Sequence, residues 1–211
     1  MTENTPKIQK LSLVGGRVCL DFANTVSWRG GKAPKDLLQS YEDLVTWGIR
    51  SGVLGSQDAG ALLEHAVADF DAAAKALARA RSLRETIARI FDAVAGGRSP
   101  DDTVLSDLTM FLREALSHVR LSRSANGYGI DFEKGESLDR FLSPVAWSAA
   151  ELLRDPALAR VKSCSGKTCG WLFVDASKNH SRRWCEMKDC GNREKARRHY
   201  HKTRAQGPRS V

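Results

Sequence analysis

The 211-residue sequence lacks the features that place a chain in a membrane or outside the cell. It contains no run of eighteen apolar residues, which a transmembrane helix would need. Its polar first residues, MTENTPK, lack the apolar segment of a secretory signal peptide. The sequence therefore predicts a soluble, cytoplasmic protein with no membrane partner. In that reducing compartment, clustered cysteines favour metal binding over disulfides.

Common catalytic signatures are also missing. The sequence has no glycine-rich phosphate loop, no H-E-x-x-H metalloprotease motif and no G-x-S-x-G nucleophile motif. His65 and His118 stand singly on predicted helices, where a histidine satisfied by its surroundings is far commoner than a ligand or a general base. We therefore predict that the protein is not an enzyme.

Polar and aromatic residues near the N-terminus permit two interpretations. Side chains such as those of Asp21, Asn24 and Thr25 most often cap or tie down neighbouring backbone. The alternative is a pocket, either for an unknown small-molecule effector or for the substrate of an unrecognised enzyme. The residues of this candidate pocket are Asp21, Asn24, Trp28 and Trp47.

Positive charge is concentrated at one end of the chain. Residues 160–211 contain 14 lysines and arginines against four acidic residues, whereas residues 1–159 contain 19 against 21. The thiolates of a zinc centre would attract two or three cations, but they do not explain a surplus of ten. A polyanionic partner is the simpler explanation.

Residues 1–157 have the hydrophobic periodicity of a helical domain. Apolar residues recur at three- and four-residue steps over 71–95, which predicts a long amphipathic helix. We interpret the arginines on its other side as a solvated face. Asn126-Gly127, between alternating segments, predicts a minor β-hairpin. The predicted fold class is mostly α, with about six helices in a domain that senses a ligand or forms a homodimer.

Four cysteines organise the remaining residues, 158–211. Cys164 and Cys169 form one C-x4-C pair, Cys185 and Cys190 form a second, and fifteen residues separate the pairs. Since each pair can wrap one edge of an ion, this spacing predicts a tetrahedral four-sulfur site. One structural Zn²⁺ is the leading interpretation. Iron in a rubredoxin-like site is the alternative, because sulfur ligands alone do not exclude it.

The sequence around these pairs predicts a treble-clef-like zinc finger. A short hairpin carries the first pair, and the second pair leads into a basic helix from Asn192. Only Ala196 and Tyr200 offer that helix an apolar stripe for docking, so we expect the metal to fix its start. Loss of the metal should then unfold residues 160–204 alone. The predicted nucleic-acid contacts are Arg182, Arg183, Arg193, Lys195, Arg197, Arg198, His201, Lys202 and Arg204.

Two stretches resemble known families. Cys190-Gly-Asn-Arg193, with basic residues before and after it, resembles the CGNR zinc finger. Residues 13–25, LVGGRVCLDFANT, resemble the ABATE domain, which commonly precedes that finger in bacterial proteins described as stress-induced transcription regulators. The resemblance implies an ABATE-like domain over 1–157, a CGNR-type finger over 158–211, bound zinc and DNA binding.

The predicted function combines these observations. We expect a zinc-dependent transcription regulator that contacts double-stranded DNA through the basic helix after the four-cysteine site. The alternative is a zinc-stabilised module that binds protein or RNA and does not recognise a DNA sequence.

Overall fold

A computed structural model describes residues 7–124, 127–133, 135 and 137–205. The α-helices of this part are α1 (Val18–Ala23), α2 (Tyr41–Ser51), α3 (Ser56–Ala68), α4 (Phe70–Ala95), α5 (Asp102–Ser117), α6 (Ser143–Arg154) and α7 (Asn192–Ala205). The strands are β1 (Val26–Ser27), β2 (Lys35–Asp36), β3 (Val119–Ser124), β4 (Gly127–Phe132), β5 (Val161–Ser163) and β6 (Leu172–Val174). The mostly helical fold with small hairpins is confirmed. None of the described helices is long and apolar enough to cross a bilayer.

The strands form three antiparallel pairs, β1 with β2, β3 with β4 and β5 with β6. In the second pair Leu121 lies opposite Ile130, which confirms the predicted hairpin. Asn126, on which that prediction depended, lies outside the described residues. The β1–β2 pair was not predicted, because strands of two residues are too short to show a periodic pattern.

Helix α2 shows how local sequence fixes an element. The Ser40 hydroxyl accepts a hydrogen bond from the Asp43 amide at 3.1 Å, and the Asp43 carboxylate accepts one from the Ser40 amide at 3.1 Å. This reciprocal capping box forms although aspartate replaces the usual glutamate or glutamine. The helix ends at Gly52, whose φ of 79° is accessible to glycine without strain.

The hydrophobic core is built around α4. Leu83, Ile87 and Phe91 of this helix are completely buried, and the core continues through the aromatic pair of Phe22 and Trp47, with ring centroids 4.6 Å apart. The same core includes side chains from the cysteine-bearing region, namely Val161, Leu172 and Val174. The β5–β6 hairpin therefore completes the core of the helical body.

The arginines of α4 do not all form a solvated face, and that expectation was wrong for Arg84. Its side chain is only 4% exposed, and its guanidinium donates to both carboxylate oxygens of Asp36, at 2.6 and 2.8 Å. It also contacts Glu85 at 3.0 Å, and Arg29 pairs with the same glutamate. The helical pattern of α4 could not show that residues 29–38 cross over this side of the helix.

The Arg84 cluster predicts a large loss of stability on truncation. Arg84→Ala should lower the free energy of unfolding by about 3 kcal/mol, because it removes both close hydrogen bonds to the partly buried Asp36 carboxylate. Arg89→Ala is the matched control, since Arg89 is 59% exposed and lies 4.0 Å from Asp101; it should cost about 0.5 kcal/mol or less. Urea unfolding measures both values, and equal losses would contradict the structural role of Arg84.

The same cluster predicts a pH dependence. Burial raises the pKa values of Asp36 and Glu85, but hydrogen bonds and charge from Arg84 and Arg29 outweigh it and hold both pKa values below their usual range. Their contribution to stability is therefore complete above the ordinary carboxyl pKa of about 4 and is lost as the pH falls below it. The difference in unfolding free energy between wild type and Arg84→Ala should shrink over that acid range. A constant difference down to pH about 2 would contradict the assignment.

Candidate metal centre

The β5–β6 hairpin presents the first two cysteines at its turn. The Cys164 amide donates to the Trp171 carbonyl at 2.8 Å, and the Cys169 amide donates to the Gly166 carbonyl at 3.0 Å. A Cβ on Gly166 would lie 3.4 Å from the Cys190 sulfur and 3.5 Å from the Cys164 sulfur. The turn at Gly166 therefore passes close to the metal site.

The second pair of cysteines is positioned by a different local structure. A π-helical turn, Met187–Gly191, leads directly into α7, and the Gly191 amide donates to the Glu186 carbonyl at 3.1 Å. This turn holds Cys190 at the entrance to α7. The hairpin turn and the helix start together give the predicted treble-clef-like arrangement.

All four cysteine sulfurs converge. The Sγ atoms of Cys164, Cys169, Cys185 and Cys190 lie within 4.8 Å of one another, and all four residues are buried. Two of the separations, Cys169 to Cys185 and Cys185 to Cys190, are 3.6 Å. A tetrahedral zinc with Zn–S bonds of about 2.3 Å separates its sulfurs by roughly 3.8 Å, so the arrangement fits the ion. The chain thus has one structural zinc site, as predicted.

Hydrogen-bond donors lie close to two of these sulfurs. The Cys185 amide approaches the Cys164 sulfur at 3.3 Å, and the Gly166 amide approaches the same sulfur at 3.5 Å. The Arg193 guanidinium lies 3.2 Å from the Cys190 sulfur. Such donors orient thiolate ligands and offset their negative charge.

Asp175 organises the segment between the two cysteine pairs, a role that the sequence analysis missed. Its fully buried carboxylate pairs with Lys162 at 2.6 Å and accepts hydrogen bonds from the amides of Ser177 and Arg182, both at 2.9 Å. Burial raises the pKa of Asp175, but the hydrogen bonds from Lys162 and Ser177 lower it by more than burial raises it. The pKa therefore lies well below its usual range. An aspartate directly after the apolar LFV stretch was the available signal.

The side chain of Arg182 packs next to the metal centre and stabilises the chain around it. Its guanidinium lies 4.2 Å from the centroid of the Phe173 ring and donates to the carbonyls of Val14, Trp184 and Cys185. Arg183, the next residue, is exposed, with its guanidinium 5.4 Å from the Trp184 ring centroid. Two neighbouring arginines therefore have different environments, one structural and one open to solvent.

Asn24 ties the finger to the helical body. Its side-chain amide donates to the Leu172 carbonyl at 2.9 Å, and its side-chain carbonyl accepts from the Leu172 amide at 2.8 Å. Nearby, the Trp171 indole donates to the Val26 carbonyl at 3.0 Å. Asn24 is 2% exposed, so both hydrogen bonds are sheltered from water.

The other residues of the candidate pocket have separate surroundings. The Asp21 carboxylate accepts from the Gly15 amide at 2.8 Å, and burial raises its pKa to about 6. Trp47 is completely buried against Phe22, whereas Trp28 is 54% exposed. The ligand pocket formed by these residues together stays a prediction.

Helix α7 projects from the centre with little support. Among its residues with described side chains, all except Glu194 are exposed. Ala196 and Tyr200 are exposed, so the expected apolar docking stripe was wrong. The predicted contacts Arg193, Lys195, Arg197, Arg198, His201 and Arg204 are all exposed on this helix. The side chain of Lys202 lies outside the described part of the chain.

Cys19, the fifth cysteine, does not belong to the centre. It is completely buried in the main core, and burial raises the pKa of its thiol to about 12. It packs as a small apolar side chain.

The shared core predicts that zinc stabilises the whole chain. Removing the ion should free the β5–β6 hairpin and uncover Val161, Leu172 and Val174, at a cost of about 1.5 kcal/mol or more for each side chain. The thermal midpoint of the helical signal should therefore fall by roughly 10 °C. This revises the expectation that residues 160–204 unfold alone.

Circular dichroism of the zinc-loaded and chelated protein, with elemental analysis of the same samples, measures this effect. One zinc per chain is expected, and Cys190→Ser should behave like the chelated protein. An unchanged helical midpoint after zinc removal would show that the finger and the body are independent, and iron in place of zinc would contradict the metal assignment.

Comparison with protein families agrees with the fold and the metal centre. A family model of the ABATE domain, described as "putative stress-induced transcription regulator", matches residues 16–156, and a model of the CGNR zinc finger matches residues 160–203. A search of curated proteins finds no match. Neither matched family is described as enzymatic. The helical body and the four-sulfur centre are thus the two parts that these models describe, and the chain belongs to the ABATE family, with a CGNR zinc finger after the ABATE domain.

Proposed function

We propose that this protein is a zinc-dependent transcription regulator that binds double-stranded DNA through α7. The observation that carries the proposal is a basic helix that is anchored at one end only. Its fourteen residues contain six lysines and arginines and a single acidic residue, Glu194. Since the helix contributes almost nothing to the core, its charge and exposure indicate a role in binding.

The dimensions of α7 suit a DNA groove. Fourteen residues at 1.5 Å each give a helix of about 21 Å, and the major groove of B-form DNA, about 12 Å wide, admits an α-helix. The zinc centre fixes the first turn and thereby sets the direction of the helix. Rigid presentation reduces the entropy lost on binding.

Five of the six lysines and arginines of α7 divide into two groups. Arg193 pairs with Asp189 at 3.2 Å and contacts the Cys190 sulfur, and Arg197 pairs with Glu194 at 2.8 Å. These contacts favour a partly structural role for both arginines. Lys195 and Arg198 lie on another face of the helix, and Lys202 follows them at helical spacing. We propose that this second group makes the main phosphate contacts, together with the exposed Arg183.

The regulatory part of the proposal rests on the matched family description. The helical body would sense an effector or form a homodimer, and the protein would act in the cytoplasm. A zinc-stabilised module for protein or RNA is the alternative, and the test below separates it from DNA binding. We propose that the protein is not an enzyme.

The salt dependence of DNA affinity tests the proposal. About five phosphate contacts should give a slope of log affinity against log salt of roughly −4 to −5. The double variant Lys195→Ala and Arg198→Ala should weaken binding to all duplex sequences and make the slope shallower by about 2. Fluorescence anisotropy with labelled duplexes, on zinc-loaded protein, measures both quantities.

Two controls separate charge loss from structural damage. Arg98→Ala removes an exposed arginine after α4 and should leave the slope unchanged. Arg193→Ala should speed zinc release to a chelator, because it removes the donor to the Cys190 sulfur. If zinc-loaded protein does not bind duplex DNA at low salt but binds structured RNA, the RNA-binding alternative replaces our proposal.

A further inference from the structure

We propose that the β3–β4 hairpin joins a second copy of this chain, by antiparallel pairing of β4 with β4 of the partner across a two-fold axis at Gly129. In the described part of the chain, β3 and β4 pair only with each other, so each has one edge without a neighbouring strand. An open edge is a template for a further strand. The hydrogen-bond register, the cleft beside β4 and the distribution of charge select β4 as the interface and a second copy as its partner.

The hydrogen-bond pattern of the hairpin fixes which backbone groups of β4 face outward. The Glu133 amide donates to the His118 carbonyl at 2.9 Å, so these two residues form a hydrogen-bonded pair. Hydrogen-bonded and non-hydrogen-bonded pairs alternate along antiparallel strands. In the register of the hairpin, Tyr128 and Ile130 therefore lie in non-hydrogen-bonded pairs. Their amides and carbonyls point away from β3, toward the open edge of β4.

A two-fold axis at Gly129 would pair these outward groups with each other. In that register Tyr128 lies opposite the partner's Ile130, and the symmetric pair repeats the contact, which gives four backbone hydrogen bonds. An aromatic residue opposite a β-branched residue is a favourable cross-strand pair. Asp131 lies opposite the partner's Gly127, which has no side chain to collide with it. The edge of β4 is thus complementary to itself.

Exposed apolar side chains would continue across this junction. Side chains alternate along a strand, so Leu121, Tyr128 and Ile130 share one face of the hairpin. Leu121 is 73% exposed and Tyr128 is 77% exposed, although Phe132 on the same face packs against the main core. Pairing of the two copies places Ile130 between Leu121 of its own chain and the partner's Tyr128. The apolar face then extends over both hairpins.

Gly129 lies where the two chains would approach each other. In the described part of the chain, a Cβ on Gly129 would meet only the Ser122 hydroxyl oxygen, at 3.8 Å, which is an ordinary van der Waals distance. The fold of one chain therefore has room for a side chain at this position. Glycine in the interior of a strand weakens the strand and often marks the close approach of another backbone.

A cleft of about 540 Å³ borders the open edge of β4. Its lining includes the four consecutive residues 130–133 and, among the described residues, none from β3. Because alternate residues face opposite sides of a strand, a cleft that contacts consecutive residues runs along the edge of the strand. Pro144 and Trp147 of α6 belong to the opposite wall. The structure therefore has space beside β4 for another strand.

The charge of this cleft suits the hairpin of a second copy. Four carboxylates and one guanidinium line it: Asp58, Asp131, Glu133, Glu151 and Arg140. In the two-fold register the partner's Arg123 lies two strand spacings from Ile130, roughly 10 Å, on the side of the cleft. Arginine from the partner would therefore meet an acidic lining.

The strand sequences also limit the assembly to two copies. Strand β3 carries Arg120 and Arg123, and charged side chains protect an edge against further pairing. Strand β4 contains no lysine, arginine or proline. Pairing through β4 is isologous and leaves only the protected β3 edges outside, so it closes as a dimer.

Sedimentation velocity of the zinc-loaded chain, without DNA, tests the dimer. We expect a reversible monomer–dimer equilibrium between about 1 and 200 µM, because a contact between two short strands belongs to the small, weak interfaces. Ile130→Pro should weaken association at least tenfold, since it removes an outward amide and an apolar side chain from β4. Leu121→Pro is the matched control, because it removes an outward amide from the β3 edge, and it should change the dissociation constant less than threefold.

Disulfide trapping tests the register independently. Gly129 would face its symmetry copy in a non-hydrogen-bonded pair, with Cα atoms about 4.5 Å apart, a distance that a disulfide can span. Gly129→Cys should therefore form a covalent dimer on mild oxidation, visible on a non-reducing gel. Ser122→Cys, directly opposite Gly129 in the hairpin, is the matched control and should stay monomeric on the gel.

These measurements can overturn the dimer in separate ways. A wild-type chain that stays monomeric up to about 200 µM, or equal trapping of Gly129→Cys and Ser122→Cys, overturns the proposal. A dimer that folded Ile130→Pro leaves intact overturns its placement on β4. Circular dichroism shows whether Ile130→Pro is folded, and if it is not, trapping at Gly129 decides.

The dimer would present two copies of α7 to one duplex, and this regulatory meaning rests on the proposed DNA binding. Neither sedimentation nor disulfide trapping requires DNA. Failure of the dimer can therefore be distinguished from failure of DNA binding.

Discussion

Four thiolates cannot lie side by side in a protein interior unless a cation neutralises them, and this constraint governs the C-terminal quarter of the molecule. The hairpin turn, the π-helical turn and the amides that face the sulfurs all serve to bring the four cysteines to one point. The direction of α7 follows from the same point, because its first turn adjoins Cys190. Zinc therefore supplies the organisation that an apolar core supplies elsewhere.

The finger nevertheless depends on the body for its own packing. Side chains of β5 and β6 belong to the main core, while Phe173 belongs to the smaller apolar cluster beside the metal. Successive residues of one short strand thus face two cores. Because this strand packs against both cores, zinc binding should stabilise the helical body, and folding of the body should stabilise the finger.

The sequence predicted those features that local chemistry determines. The cysteine spacing sufficed for the metal site, and helical periodicity sufficed for α4, because both signals lie within short stretches of chain. The burial of Arg84, the docking of Leu172 on Asn24 and the buried role of Arg182 depend on residues that are distant in sequence. No local pattern distinguishes an arginine that caps a phenylalanine ring from one that faces solvent, which is why Arg182 and Arg183 received the same interpretation.

The amide of Asn24 joins body and finger through one donor and one acceptor, each matched to the backbone of Leu172. Deamidation would keep the size of this side chain but replace its donor nitrogen by a charged oxygen that faces a carbonyl. The damage would be electrostatic repulsion at a buried junction, without any loss of volume. Chemical ageing at this single atom would therefore weaken the attachment of the finger while leaving all four cysteines intact.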